Sequence, residues 1–268
     1  MTPILCASPP TAVEARGEWS RGTAEDADVR RLCIVADALD QAGVRWWLDH
    51  GTLLGLVRDA ELLPWDDDLD VSFHRADHAR VVTALVRCKH ELQARMIVTA
   101  RGVKLVPHAE RERILDIASY VEDGSHLVKH FVRARRGEGG RTRRWRAVLL
   151  HGPFTRVEAL LHGLDRRLWS GGRHYPERVG RALVALTAWP AVLRERFGTH
   201  EPSRVPMSLL ERRERRTWFG QDLWVPSDAE RYLEHRYGAD WRTPQRAWTW
   251  WDDDRTVSTA TATRASRR

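Results

Sequence analysis

Apolar residues at Val29, Leu32, Val35, Ala36 and Leu39 recur with the period of an α-helix and predict one from Ala24 to Ala42, stopped by Gly43. Val44–Leu48 (VRWWL) is a short apolar run that predicts a buried strand, and Leu53–Arg58 predicts a short helical segment after the Gly51-Thr52 turn. Leu69–Phe73 reads as the next strand, followed by a helix from Ala76 to Lys89. Two strand-like runs, Gln93–Thr99 and Gly102–Val106, and a third from Arg111 to Tyr120, complete this half of the chain.

Beyond residue 121 the pattern changes. Glu122–Arg146 is polar and Arg-rich, and its RARRGEGGRTRRWR segment reads as a loop. From Val148 to Phe197 the apolar spacing is helical, with expected breaks at Gly171-Gly172 and at Pro190. These helices are expected to pack on the sheet with an Arg-rich solvent side; contact of a basic amphipathic helix with a membrane face is the alternative. Near the end, Ser227 and Glu230 predict a capping box and Gly238 a helix stop. The divisions that follow are a loose leader at 1–22, a core at 23–121, a mainly helical extension at 122–251 and a disordered tail at 252–268. The Asp252–Asp254 triplet, with no strand after it, is expected to be solvated.

One stretch does not fit a solvated charge run. In PWDDDLDV (Pro64–Val71) four acids sit directly before apolar residues. Asp68 and Asp70 are two apart, so a strand puts both carboxylates on one face while Leu69 and Val71 point to the core. Carboxylate oxygens in that arrangement suit a hard divalent cation. Asp116, inside the apolar ILDI run, is costly to bury unless paired or bound to a metal, which makes it the natural third carboxylate; a place at the strand end or on a solvent face is the other reading. Asp66 and Asp67 precede the strand and are expected as loop acids or as groups that back the metal ligands. The strand–Gly51-Thr52–helix passage offers backbone N–H groups to an anion, although a glycine there often serves only the turn.

The 268 residues carry a net charge of +7 and only three lysines (Lys89, Lys104, Lys129), so arginine supplies the basicity. Such a surface suits phosphorylated substrates, nucleic acid or anionic membrane. Three widely spaced cysteines indicate neither a zinc site nor a disulfide framework. With no long apolar run and no basic signal-type leader, the expected location is cytoplasmic, with the inner membrane face as a possible site of contact.

Together GTLLGLVR (Gly51–Arg58), PWDDDLDV, ILDI (Ile114–Ile117) and VPSDAERYLEHRYGADWRTP (Val225–Pro244) resemble the LicD family, to which fukutin-type proteins are related. The resemblance implies an α/β (α+β) nucleotidyltransferase-like fold: a mixed sheet flanked by helices, here with a helical C-terminal extension. It implies transfer of a substituted phosphate, of phosphocholine or polyol-phosphate type, from a CDP-activated donor to a hydroxyl of a sugar or glycan acceptor, with CMP released. In that reading Asp68 and Asp70 hold Mg²⁺ (or Mn²⁺), and Asp116 either completes the metal site or accepts the acceptor's proton. Gly51 and Thr52 let the backbone approach the phosphates, Arg58 and Lys104 neutralise developing charge, and Trp65 fixes the approach of the acidic loop.

A nucleotidyltransferase that moves a whole nucleotide onto a small molecule would share these carboxylates. A nucleic-acid-binding protein would explain the basicity, but strand-embedded acids would repel a polyanion, so no nucleic-acid partner is expected. The sequence leaves the oligomeric state open.

Overall fold

The computed structural model describes residues 24–133, 153–197, 199–246 and 254–257. The first helix, α1 (Ala24–Gln41), follows the predicted period: Val29, Leu32, Val35, Ala36 and Leu39 are all buried. Then come β1 (Trp46–Leu48), α2 (His50–Arg58), β2 (Asp68–His74), α3 (His78–Arg87) and the single turn α4 (Lys89–Leu92). Strands β3 (Ala94–Thr99), β4 (Gly102–Pro107), β5 (Ile114–Asp123) and β6 (His126–Arg133) follow. Helices α5 (Pro153–Leu168) and α6 (Glu177–Phe197) precede β7 (Thr199–Pro206), the hairpin β8 (Arg213–Trp218) and β9 (Gln221–Pro226), and α7 (Ala229–Tyr237).

The main sheet has the order β1-β2-β5-β4-β3 and is mixed: β2 and β5 run parallel, while β1, β4 and β3 are antiparallel to their neighbours. Alternation along β2 and β5 separates the two faces. Leu69, Val71, Phe73, Leu115 and Ile117 enter the core, and the intervening aspartates face the other way. This central mixed sheet, with flanking helices and a helical C-terminal region, is the α/β, nucleotidyltransferase-like architecture expected from the sequence.

The sheet continues beyond residue 121. The end of β5 pairs with β6, and β6 pairs along its whole length with β7. Residues 126–133, read from sequence as part of a polar, Arg-rich stretch, are therefore a strand, with the consecutive Leu127, Val128 and Lys129 all buried because both faces are covered there. The RARRGEGGRTRRWR loop falls, after its first residue, outside the described residues. Helix α6 runs unbroken through Pro190, because one lost backbone bond does not outweigh packing along the edge strand β3 and α3. The Gly171-Gly172 break is present, with both residues at φ 69.

The β8–β9 hairpin turns at Phe219-Gly220, both at positive φ as a type I′ turn requires. It docks on α1 and β1: Arg213 Nη1 donates to the Trp46 carbonyl at 2.6 Å, and Trp224 Nε1 donates to Asp40 at 3.0 Å. Asp228 rather than Ser227 caps α7, accepting the Arg231 N–H at 3.2 Å. No helix among the described residues is long and apolar enough to cross a membrane.

Candidate active site

The carboxylates singled out by spacing meet through sheet register. Asp70 on β2 and Asp116 on β5 are direct partners across the parallel pair, and Lys104 on β4 is the direct partner of Asp116. One row across three strands thus presents acid, acid and base on one face. Lys104 Nζ lies 2.9 Å from Asp116 Oδ2. Asp68 stands two residues before Asp70 on that face, beside Asp116 and Lys104, which both act on its charge.

The loop entering β2 brings in Asp66 and Asp67, expected from sequence as loop acids or as groups backing the ligands. Single carboxylate oxygens of Asp66, Asp67 and Asp68 lie within 4.8 Å of one another, close enough to share a divalent cation. The loop is held from two sides. Arg113, at the root of β5, donates to the backbone carbonyls of Asp66 and Leu63, each at 3.0 Å. On the other side Asp66 packs on Gly51 so closely that any Cβ there would stand 1.9 Å from Asp66 Oδ2.

Electrostatics show what this cluster lacks. Burial and the neighbouring Asp68 push the Asp66 carboxyl up to about 7. Asp68 is raised by burial and by Asp116 and Asp67, and Asp70 is raised well above the usual range by burial and by Asp68. Burial alone would also raise Asp116, but Lys104 and Lys129 hold it below the ordinary carboxylate value. Three mutually repelling carboxyls without enough countercharge, all offering hard oxygen donors, fit a divalent cation.

Lys129 was missed by the sequence reading. It lies buried on β6, with Nζ 3.9 Å from Asp70 Oδ1 and 5.3 Å from the centre of the Phe131 ring. The available signal was scarcity: where almost every cation is arginine, two of the three lysines face these acids.

Helix α2 closes the other side. Thr52 is buried, and its Oγ1 accepts the Asp70 N–H at 2.8 Å, tying the helix start to β2. Asp49 caps α2 from a fully buried position. Its carboxylate accepts from the His50 N–H at 2.8 Å, Ser72 Oγ at 2.7 Å, Tyr120 OH at 3.0 Å and Tyr232 OH. Burial would raise this acid, but His50, Arg236 and Lys129 hold it well below the usual range. Arg236, also fully buried, donates to Tyr120 OH and Tyr232 OH, each at 2.9 Å, and to Asp254 at 2.5 Å. Asp254, expected to be solvated, is instead a buried counter-ion that ties residues 254–257 to the platform under α2.

A cleft of about 270 Å³ opens over this platform, lined by Gly51, Arg58, Trp65, Asp66 and Asp70 and walled by Tyr237 and Trp241 from the C-terminal segment. Asp116 and Lys104 stand one and two strands away from Asp70 and do not line it. Arg58 borders the cleft with its guanidinium held by Asp59 at 2.7 Å. Trp65 is half-exposed, with Arg246 5.3 Å from its ring centre. His50 also borders the cleft, at φ 43, a backbone region unusual for a side-chain-bearing residue.

The fold and the acid-lined cleft define a nucleotidyltransferase-like domain with a candidate divalent-metal centre. Residues 43–147 match the sequence model of the family described as "LicD/FKTN/FKRP, nucleotidyltransferase domain". The chain is 44% identical over 61 residues to mouse ribitol 5-phosphate transferase FKRP, covering 23% of this chain and 12% of that protein. It is 31% identical over 80 residues to lipopolysaccharide cholinephosphotransferase LicD of Haemophilus influenzae, covering 30% and 29%. With mouse ribitol-5-phosphate transferase FKTN it shares 26% identity over 108 residues, covering 40% and 23%. The chain thus spans less than a third of the length of each of these relatives.

Proposed function

We propose that this chain is a Mg²⁺- or Mn²⁺-dependent transferase moving a substituted phosphate from a CDP-activated donor to a hydroxyl of a sugar or glycan acceptor. The observation that carries this reading is the Asp70–Asp116–Lys104 row beside the Asp66–Asp68 cluster at an open cleft. The relatives named for ribitol 5-phosphate and phosphocholine transfer support the class of transferred group. Transfer of this kind needs positioning and charge neutralisation more than covalent help from the protein.

In this reading the acceptor oxygen attacks the phosphorus that carries the alcohol substituent. The bond from that phosphorus to the bridging oxygen breaks, and CMP leaves. Asp68, Asp70 and Asp116 would hold the cation, with Asp66 and Asp67 beside them, and it would supply countercharge to the donor diphosphate. Asp116 is the alternative acceptor of the hydroxyl proton. Lys104 and Lys129 fix the charge and direction of Asp116 and Asp70. Arg58 and the Gly51-Thr52 helix start face the phosphates, and Trp65 guides the acidic loop. The reaction is proposed for the cytoplasm.

The test is incubation of the purified chain with a panel of CDP-alcohols, candidate glycan acceptors and Mg²⁺, scored for CMP. Acceptor-dependent CMP release supports the reading. No CMP from any donor, with pyrophosphate released from a nucleoside triphosphate, would instead make the chain a nucleotidyltransferase acting on a small molecule.

A further inference from the structure

Helices α5 and α6 carry a feature that the cleft chemistry does not use. The inner side of α6 is buried in the ordinary way. Gly180 lies so close to α3 that a Cβ there would meet Val86 at 2.9 Å, and Val184 and Ala188 are buried. Its outer side is nevertheless apolar: Val179, Leu186, Trp189 and Val192 are between 43% and 56% exposed. Helix α5 repeats the pattern at i, i+4 spacing, with Leu160 73% and Leu164 39% exposed. Among the described residues, the remaining large exposed apolar side chains are Trp65, at the cleft, and Ile114 and Val121, at opposite ends of β5. The surface hydrophobicity is therefore concentrated on this helix pair rather than scattered.

The charges around these stripes have one dominant sign. Residues 153–197 hold eight arginines and four acids. Of those acids, Asp165 is buried and bound to Lys89 at 3.0 Å, and Glu177 is engaged by Arg87 at 3.1 Å. Arg166, Arg167, Arg173, Arg178 and Arg181 are exposed. Arg167 continues the Leu160–Leu164 stripe one turn further, and Arg178 adjoins Val179. An apolar face with a cationic margin and an exposed tryptophan matches what an anionic lipid surface binds: side chains enter the headgroup boundary while arginines meet the phosphates. A second copy of the chain fits less well, because apposing two such faces would bring arginine against arginine.

We propose that the outer face of α5 and α6 is a docking surface for an anionic lipid bilayer. It holds the protein peripherally, without a spanning segment from the described residues. The face is built from Leu160, Leu164, Val179 and Leu186, with Arg167 and Arg178 at its margin. It shares no residue with the cleft, so it stands whether or not the proposed transfer reaction is correct.

The test is co-sedimentation of the full chain with vesicles of phosphatidylcholine alone and of phosphatidylcholine mixed with phosphatidylglycerol. The protein is expected to bind the mixed vesicles and to stay in solution with phosphatidylcholine. Leu160→Gln combined with Leu186→Gln should lower the vesicle affinity tenfold or more with an unchanged circular dichroism spectrum. Should that pair fail to fold, Arg167→Gln with Arg178→Gln tests the margin of the same face, with a several-fold loss expected. Three outcomes overturn the proposal: no binding to mixed vesicles; binding that salt abolishes and neither folded variant weakens; or a concentration-dependent dimer in sedimentation velocity that Leu186→Gln disrupts, which assigns the face to a second copy.

Discussion

The carboxylate of Asp66 occupies the space a side chain at Gly51 would fill, since a Cβ there would stand 1.9 Å from Asp66 Oδ2. Gly51 is thus required as a surface for the acidic loop. Its φ is not among the positive ones, so conformational freedom does not explain it. The two sequence blocks GTLLG and PWDDD interlock at this point, and the candidate metal centre draws on both.

Gly51→Ala should therefore displace Asp66 while leaving the sheet intact. We expect Mg²⁺ affinity to fall by roughly 10- to 100-fold, as when a metal site loses an orienting partner, and stability to change by no more than about 1 kcal/mol, because only the Asp66 side chain must move and alanine favours the helix. Calorimetric Mg²⁺ titration and urea unfolding measure the two effects. Unchanged metal affinity in a folded variant would remove Asp66 from the site.

The acid cluster predicts an inverted pH dependence for the metal-free protein. Asp66 is raised from 3.8 to about 7 by burial and by Asp68, so between those values the folded state binds more protons than the unfolded one. Stability from this group is complete below pH 3.8 and is lost as pH rises through about 7. Asp68 and Asp70 are shifted in the same direction. Thermal melts in chelator should show this fall, and Asp66→Asn should flatten it. Added Mg²⁺ should raise the melting temperature at pH 7 more than at pH 4, because it binds the ionised folded state. A metal-free protein that gains stability from pH 4 to 7 with no dependence on Asp66 contradicts the electrostatic account.

Lys129→Met separates the two lysines at the site. Lys129 is buried against Asp70, whereas Lys104 is half-exposed against Asp116. Loss of Lys129 leaves Asp70 with less countercharge, so turnover is expected to fall by roughly 10²-fold, on the scale of other groups that stabilise charge in place. Lys104→Met should cost less. Steady-state rates of the two variants, each checked by circular dichroism, give the comparison; equal losses would mean that burial is not what sets their roles.

Arg236 and Asp254 form a buried pair that ties residues 254–257 to the platform beneath α2. Arg236→Leu should destabilise the fold by about 3–5 kcal/mol, because it leaves buried acids unpaired. Truncation after residue 253 should cost a similar amount. The two changes combined should cost much less than their sum, since each removes the same pair. Denaturant unfolding of the three proteins tests this, and strict additivity would mean that the pair does not act as a unit.

The carboxylate row was legible because period-two alternation needs only local sequence: Asp68 and Asp70 flank Leu69, and Asp116 sits inside ILDI. What local pattern could not supply was the partner register, which makes Asp70 and Asp116 direct neighbours. Lys129 was hidden because residues 122–146 read as one polar, Arg-rich stretch, and HLVKHFVR, with its apolar residues in adjacent pairs, shows no period-two alternation to mark a strand. The Asp49 hub is invisible to any periodicity argument, because Asp49 and Tyr232 are 183 residues apart and meet only through tertiary packing. Asp254 failed for the same reason: an acid without a following strand looks solvated until its buried arginine is found. For Asp66 the sequence left a loop acid and a group backing the ligands side by side, because nothing in it shows that the loop folds back onto Gly51.

The most direct test of the central claim is CMP release from CDP-alcohols, measured side by side for the native chain and for Asp70→Asn and Asp116→Asn. The native chain should release CMP only with both a divalent cation and an acceptor. Each variant should remain folded and lose well over ~10²-fold of that rate. Undiminished CMP release by either folded variant, or release by the native chain that persists in chelator, would contradict the assignment of this acidic row as the site of transfer.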